Sequence, residues 1–321
     1  MAKYKIKTLR VAAIQMESRD GDIKTNLEHA AAFVEEAAHQ GAKLVLLPEF
    51  MPTGFRMTND IWGSAEPREG PTVKWLKRTS KRLNIWLGTS FLEAEGADFF
   101  NTFVLTTPDG EEAGRVRKQT PALVEAYFFK GAANHHVINT TIGKIGVGIC
   151  YEAMLAYFPQ LMYKQSVDLV LLPHSAPTPV QSPFFPRKQV EFCDNTLKEH
   201  AHRYAKLLGV PVIMANKSGK WKTEMPRPYP PQNSIFPGLS SIADSDGNVK
   251  AQLESEEGII VGDVSLDSSK KALSPPQTCG RWTVKLPWYS YCWQLIEMIG
   301  RMSYRFSQER KSKARRISSN L

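Results

Sequence analysis

Strand-length apolar runs with no polar alternation, each followed by a segment of helical spacing, constrain this chain most. Leu9–Gln15, Lys43–Leu47, Lys144–Ile149, Leu169–Leu172 and Val210–Ala215 are runs of this kind. A strand apolar at consecutive positions is buried rather than half exposed. After the first of them, Leu27, Ala31, Phe33, Val34 and Ala38 recur at about helical spacing across Thr25–Gln40, and Gly41 closes that helix. Further helices are predicted over Thr72–Leu83, near Pro159–Gln165 and over Thr196–Leu208, and further strands over Ile85–Phe91, Ser240–Asp244 and Ile259–Val264. Asn101–Thr107 and Glu111–Val116 read as a strand pair joined by the turn Pro108-Asp109-Gly110. Strands and helices mixed in this way predict an α/β architecture of packed layers. The proline-rich stretch Gly219–Pro237 predicts a long ordered surface loop over a site.

With 321 residues and 42% hydrophobic side chains, the chain can bury a sizeable core. That excludes a disordered chain and a disulfide-stapled miniprotein. Cysteines at 150, 193, 279 and 292 form neither a disulfide framework nor a CxxC metal knuckle. The opening MAKYKIKTLRVAAIQM lacks the apolar stretch of a signal peptide, and no run is long enough to span a bilayer. The expected setting is reducing and cytoplasmic. The net charge of +9 is unevenly spread. From Arg281 onward nine bases face two acids, a surplus of seven, whereas the chain before Arg281 holds 32 bases and 30 acids. Basic character thus belongs to a tail, which suggests that the tail has its own partner or task.

Three polar residues stand at the ends of apolar strands: Glu49 after Leu-Leu-Pro, Lys118 after Gly-Arg-Val-Arg, and Cys150 after Gly-Val-Gly-Ile. Strand ends in an α/β sheet are where sites assemble, because side chains leave the core there without leaving the scaffold. Each has an ordinary reading alone. A single cysteine packs as a small hydrophobe, a glutamate caps a loop, and a lysine is a solvated charge. Together they make a working set. A carboxylate in a low-dielectric pocket can take the thiol proton, and a neighbouring lysine stabilises the thiolate and the oxyanion formed when it attacks a carbonyl. The backbone N–H of Tyr151, just past the nucleophile, is a natural second oxyanion donor. This is acyl transfer through a thioester, with no metal or organic cofactor required.

LPEF at 47–50, RKQTP at 117–121 and GKIGVGICYE at 143–152 resemble the Glu, Lys and Cys blocks of the nitrilase superfamily, the carbon–nitrogen hydrolases. The order of the three blocks and their separations along the chain also fit. The resemblance runs from about residue 8 to 268 and includes VAAIQM, LVLLPHSAP at 169–177 and GLSSIADSDG at 238–247. It implies a four-layer αββα sandwich, pairing as an αββα–αββα dimer. It also implies Cys150 as nucleophile, Glu49 as general base and Lys118 as oxyanion stabiliser. Many members carry a further glutamate between the Lys and Cys blocks; Glu125 is the best match, against the plainer reading of a surface residue on a short helix. In the family the segment after LVLLP lines the pocket, making His174 and Ser175, with Tyr151, candidates for substrate contact. The chain then divides into a catalytic domain over 1–280 and a basic extension over 281–321.

The remaining histidines and cysteines carry less. Adjacent residues point apart on a strand, so His135 and His136 make no metal pair. His200 and His202, two apart on a helix, read as surface residues. Cys193, Cys279 and Cys292 lack a neighbouring base and read as structural. Phe128, Phe129, Trp221 and Tyr229 suggest an apolar pocket.

In the tail, Trp288, Cys292, Leu295, Ile299, Met302 and Phe306 follow the spacing of one helical face, opposite Ser290, Gln294, Glu297 and Arg301. One reading packs this stripe on the body or a dimer partner, with a solvated basic end too polar to fold alone. The other lays it on an anionic membrane surface through 287–316, with aromatics at headgroup depth and bases beside lipid phosphates. No base-reading module is visible, so nucleic acid is not an expected partner.

The expected function is an amidase-type hydrolase of a small-molecule or lipid amide. Tyr151 stands where the nitrilase branch usually has a tryptophan, which disfavours nitrile hydrolysis. Cys-Tyr-Glu at 150–152 resembles the apolipoprotein N-acyltransferase branch, so transfer of the acyl group to an amine is the second expectation. A noncatalytic binding protein on the same fold is the third.

Overall fold

The computed structural model describes residues 7–182, 186–286 and 290–319. Two six-stranded sheets form its centre. In the first, the order is β14 (Gly258–Leu266), β1 (Lys7–Gln15), β2 (Leu44–Leu46), β3 (Trp86–Glu95), β4 (Asp98–Thr106) and β5 (Glu112–Arg117). In the second it is β13 (Val249–Gln252), β12 (Ser241–Ala243), β9 (Val212–Ala215), β8 (Leu169–Pro173), β7 (Gly143–Val147) and β6 (Val137–Thr140). Each sheet has a parallel core, β1–β2–β3 and β7–β8–β9, with antiparallel strands outside it. Parallel neighbours need crossovers, and these are the helices α1 (Ile23–His39), α2 (Pro71–Leu83), α3 (Tyr157–Gln165), α4 (Arg187–Lys198) and α5 (His200–Leu208).

Alternation along the strands builds the layers. Val11, Ala13, Leu46, Phe103 and Leu105 of the first sheet share one core with Ile145, Val147, Leu169, Leu171 and Ile213 of the second. The opposite faces pack on helices. Ala12, Ile14 and Val45 meet α1 and α2, while Val170, Leu172 and Val212 meet α3 and α5. The result is the expected αββα sandwich. Asp22 caps α1 through a bond from the Thr25 N–H at 3.2 Å. Gly41, beyond the end of that helix, sits at φ +86°, a conformation other residues rarely adopt.

Several sequence expectations need correction. The single helix over Thr196–Leu208 is two helices, α4 starting at Arg187 and α5 at His200. Its polar, weakly periodic first half hides the earlier start, since α4 buries only Thr196 and Leu197. Gly219–Pro237 is not a long loop: Ser218–Thr223 (β10) and Gln232–Pro237 (β11) pair as an antiparallel hairpin. The prolines cluster at 226–231, at its tip, where no ladder bond is needed.

The tail forms two helices, α6 (Tyr291–Phe306) and α7 (Gln308–Ser318). The apolar stripe of α6 does not pack on the body: Leu295, Ile299, Met302 and Phe306 are exposed, Phe306 by 69%. Glu297, Gly300 and Tyr304 face inward instead. Gly300 explains this, because a Cβ there would stand 2.8–2.9 Å from Tyr127 and Ala126, and only glycine lets the helix come so close. Polar anchors do the rest, with Tyr304 Oη accepting from the Phe99 N–H at 2.8 Å. The basic end is ordered as α7 because Arg310 pairs with Asp98 and Ala314 packs among the aromatics of the body. Trp288 and Tyr289, which the sequence placed in the stripe and its aromatic belt, lie outside the described residues.

Candidate active site

The carboxyl ends of β2, β5, β7 and β8 bring Glu49, Lys118, Cys150 and His174 to one edge of the sandwich. β5 runs in the same direction as β3, since β4 is antiparallel to both, so Lys118 leaves on the side where Glu49 leaves β2. The two sheets are joined at that edge, where the Glu49 N–H donates to the His174 carbonyl at 3.1 Å.

Glu49 and Lys118 are fully buried and form an ion pair of 2.8 Å. Asn101 Nδ2 also donates to Glu49 Oε1 (2.7 Å), and the Ser175 N–H donates to Oε2 (2.9 Å). Lys118 Nζ reaches Glu125 as well, at 2.8 Å. Glu125 is thus a buried partner of the lysine and not a surface residue; its other bond, from the Ala122 N–H at 2.6 Å, fixes its turn.

Cys150 opens a short 3-10 turn over Cys150–Met154 and sits at φ +53°, so the thiol is turned out of the strand direction. Gly148 permits the approach to that turn: a Cβ there would lie 2.5 Å from the Phe158 ring. Glu152 secures both functional loops. Its carboxylate accepts from the Gln119 N–H (2.7 Å), just past the lysine, and from the Ile149 N–H (3.0 Å), just before the cysteine. Tyr157 Oη adds a third bond at 2.7 Å.

Burial pushes the Cys150 thiol well above its ordinary range; the Glu49 charge raises it further and Lys118 opposes. At rest Cys150 is therefore a thiol, not a thiolate. Burial works against the Lys118 ammonium, yet the Glu125 and Glu49 charges outweigh it and hold the lysine protonated. Burial, opposed by Lys118 and helped by Glu49, lifts the Glu125 carboxyl to about 7. His174 is lowered by burial to about 4, so its ring is neutral. Its Nδ1 lies 3.1 Å from the Leu172 carbonyl and donates to it, which leaves Nε2 as the bare acceptor.

This edge of the sandwich opens into a cavity of about 450 Å³ that holds Cys150 and Glu125 in its lining. Tyr151, His174 and Ser175 line it too, as do Trp221 and Tyr229 of the hairpin. Tyr151 Oη is already engaged, 2.9 Å from Glu297 of α6, and Ser175 Oγ donates to the Glu49 carbonyl at 2.6 Å. Phe128 and Phe129 are not in the lining; they pack with Trp62 and Phe50 in an aromatic cluster that meets the cavity through Phe55 and Trp221. His200 is not on the surface: it is 3% exposed, with its ring 5.4 Å from that of His174. Cys193 also faces the cavity, whereas Cys279 and Cys292 are exposed. Only His136 of the adjacent histidines is buried, 3.1 Å from the Val147 carbonyl.

Asn101, Glu152 and the Glu297–Arg281 pair are not among the sequence candidates. Asn101 has a signal, a lone amide inside the apolar run Phe-Phe-Asn-Thr-Phe-Val-Leu. Glu297 has none, since it reads as the solvated face of an amphipathic helix.

The sequence profile described as carbon-nitrogen hydrolase matches residues 10–272. N-carbamoylputrescine amidase of Arabidopsis thaliana is 25% identical over 270 residues, which is 81% of this chain and 87% of that protein. The solved carbon-nitrogen hydrolase of Helicobacter pylori G27 superposes with a TM-score of 0.70 at 19% identity, covering 81% of this chain and 90% of its own. A mutant of the amidase from Nesterenkonia sp. AN1, which carries the acetamide moiety of fluoroacetamide covalently added at its active-site cysteine, superposes with a TM-score of 0.65. It is 20% identical and covers 82% of this chain and 91% of its own. With the profile matched over most of its length and the αββα layers in place, the chain belongs to the carbon–nitrogen hydrolase family of the nitrilase superfamily.

Proposed function

We propose that the protein is an amidase-type hydrolase that cleaves a non-peptide carboxamide or N-acyl bond through a Cys150 thioester. The observation that carries this reading is the buried Glu49–Lys118–Glu125 cluster beside Cys150, from which Glu125 and the cysteine reach the cavity lining. Among the described residues Glu49 Oε2 accepts a hydrogen bond from Ser175 alone, which leaves a lone pair for a proton. As Cys150 Sγ attacks the amide carbon, its proton passes to Glu49 and the carbonyl oxygen becomes an oxyanion. Lys118 and the Tyr151 N–H hold that oxyanion. Collapse breaks the C–N bond, and the departing amine takes the proton from Glu49. Water then gives a proton to Glu49 and attacks the thioester, and the second collapse yields the acid and restores the thiol. Glu125 keeps Lys118 aimed at the carbonyl oxygen.

The test is intact-protein mass and product formation with a panel of amides, wild type beside Cys150→Ala. A mass gain on the wild type that the variant lacks, with turnover down by about 10⁴-fold or more, is expected. Product formation retained by Cys150→Ala overturns the assignment.

Acyl transfer to an amine at a membrane surface is the second reading, favoured by the exposed apolar stripe of α6 beside Arg301 and Arg305. Among the described residues no helix is long and apolar enough to cross a membrane, so attachment there would be peripheral. A product mass that includes an added amine, together with salt-sensitive sedimentation on anionic vesicles, supports this reading. A protein that stays in the supernatant as a dimer assigns the stripe to a second copy instead.

A further inference from the structure

The family match ends at residue 272, yet the cavity over Cys150 is walled in part by residues beyond it. Leu286, Trp293 and Ile296 come from the tail, and Leu286 and Trp293 pack in one cluster with Leu123 and Met154, which line the cavity beside them. Trp293 also packs edge-on against Trp282, 5.5 Å between ring centres, so this side of the cavity is an aromatic surface. No lysine or arginine side chain is among the described residues that line it. The acidic ones are Glu125, committed to Lys118, and Asp194, which accepts from Thr178 Oγ1 at 2.9 Å.

This wall is fastened to the reaction centre. Tyr151, the residue after the nucleophile, donates to Glu297 of α6 at 2.9 Å. Arg281 grips the same carboxylate at 2.7 and 3.0 Å, and Glu297 is 1% exposed. Gly300 presses α6 onto the turn that carries Glu125. The tail is therefore placed by the same residues that neighbour Cys150 and Glu125, and its apolar side chains line the cavity into which Cys150 opens.

We propose that α6 is a specificity wall, and that the substrate is an amide with an uncharged apolar chain of several carbons that lies against Leu286, Trp293 and Ile296. This rests on the Cys150 acyl-enzyme reading. A chain of that kind gains by leaving water at each methylene. A carboxylate finds no cation along the wall. A cationic amine finds only carboxylates that already hold partners, in surroundings that penalise an incompletely paired charge.

The experiment measures kcat/KM for the straight-chain amides from acetamide to octanamide, with 5-aminopentanamide as the cationic comparison, and records the adduct mass on Cys150. We expect kcat/KM to rise about fourfold per added methylene until the cavity is filled. Ile296→Asp and Trp293→Ala, checked for native circular dichroism, should lower the octanamide-to-acetamide ratio at least tenfold; because the ratio is internal to each variant, partial unfolding does not produce it. Turnover through Cys150 that is flat with chain length, or that favours 5-aminopentanamide over pentanamide, overturns the specificity wall and leaves the acyl-enzyme reading standing. An unchanged ratio in both variants overturns the wall as well. Turnover that survives Cys150→Ala, or no adduct and no turnover with any amide, overturns the reading beneath it.

Discussion

The floor and the wall of one cavity are built on opposite principles. At the floor, Glu125 reaches the lining and its partners Lys118 and Glu49 lie buried out of it, all three held by ion pairs. Glu49 and Lys118 follow strand ends and Glu125 sits on the turn beyond β5, all inside the family-matched region. Along the wall, α6 contributes apolar side chains, with one ionic anchor at Glu297, and lies outside that region. Buried charge is tolerated only when every member is paired, so the floor has little freedom to vary. Apolar lining tolerates exchange when volume is kept, so the wall can change with the substrate. On the proposed reading, chemistry and selectivity are thereby lodged in parts of the chain under different physical constraints.

The largest effect should come from the floor. Lys118→Met leaves Glu49 and Glu125 buried without their cation, and should lower unfolding free energy by about 3–5 kcal/mol in urea titrations. A loss under about 1 kcal/mol would mean that the floor is wetter than its burial suggests. Next in size is a pH effect at His174. The unfolded ring binds a proton below about 6.5, and the folded ring only below about 4. Between those values the unfolded chain binds more protons, so stability falls as pH drops across that window, by about 3 kcal/mol in all. His200 acts with the same sign, so the readout is the difference between wild type and His174→Gln.

Smaller effects belong to the wall. Glu297→Gln weakens the bonds to Tyr151 and Arg281 and should cost about 1.5–3 kcal/mol. In steady-state kinetics on a turned-over amide, KM should change more than kcat; an equal fall in both would erase the distinction between wall and floor. The smallest change is expected on the outer side of α6. Phe306→Ser removes a ring that touches little, and chemical unfolding should stay within about 0.5 kcal/mol of wild type. A larger loss would show that the stripe is already buried against a second copy.

The floor is legible in the sequence because strand ends leave a local trace: an apolar run stops at a proline or glycine pattern and a polar residue follows. Glu49 and Cys150 carry that trace, as do the strands β1, β2, β7 and β8, whereas Lys118 follows the polar strand Glu112–Arg117 and is marked by its RKQTP block alone. Elements without it are harder to read. The first half of α4 is too polar to show a period, and the hairpin β10–β11 is masked by prolines gathered at its tip. His200 shows the same limit, since a helical histidine carries no mark of which side of the helix will face the core.

The tail is where the division is sharpest. Its periodicity alone determined a helix with an apolar stripe and a polar face, and its composition determined the surplus of positive charge. Which face turns inward was decided only by the tertiary structure. A closely approached backbone at Gly300 and a partnered carboxylate at Glu297 outweigh the ordinary preference for burying the stripe. Helical spacing describes a surface without saying what it will meet. Tyr151 and Ala126, which α6 does meet, come from the middle of the chain, and nothing local to the tail announces them.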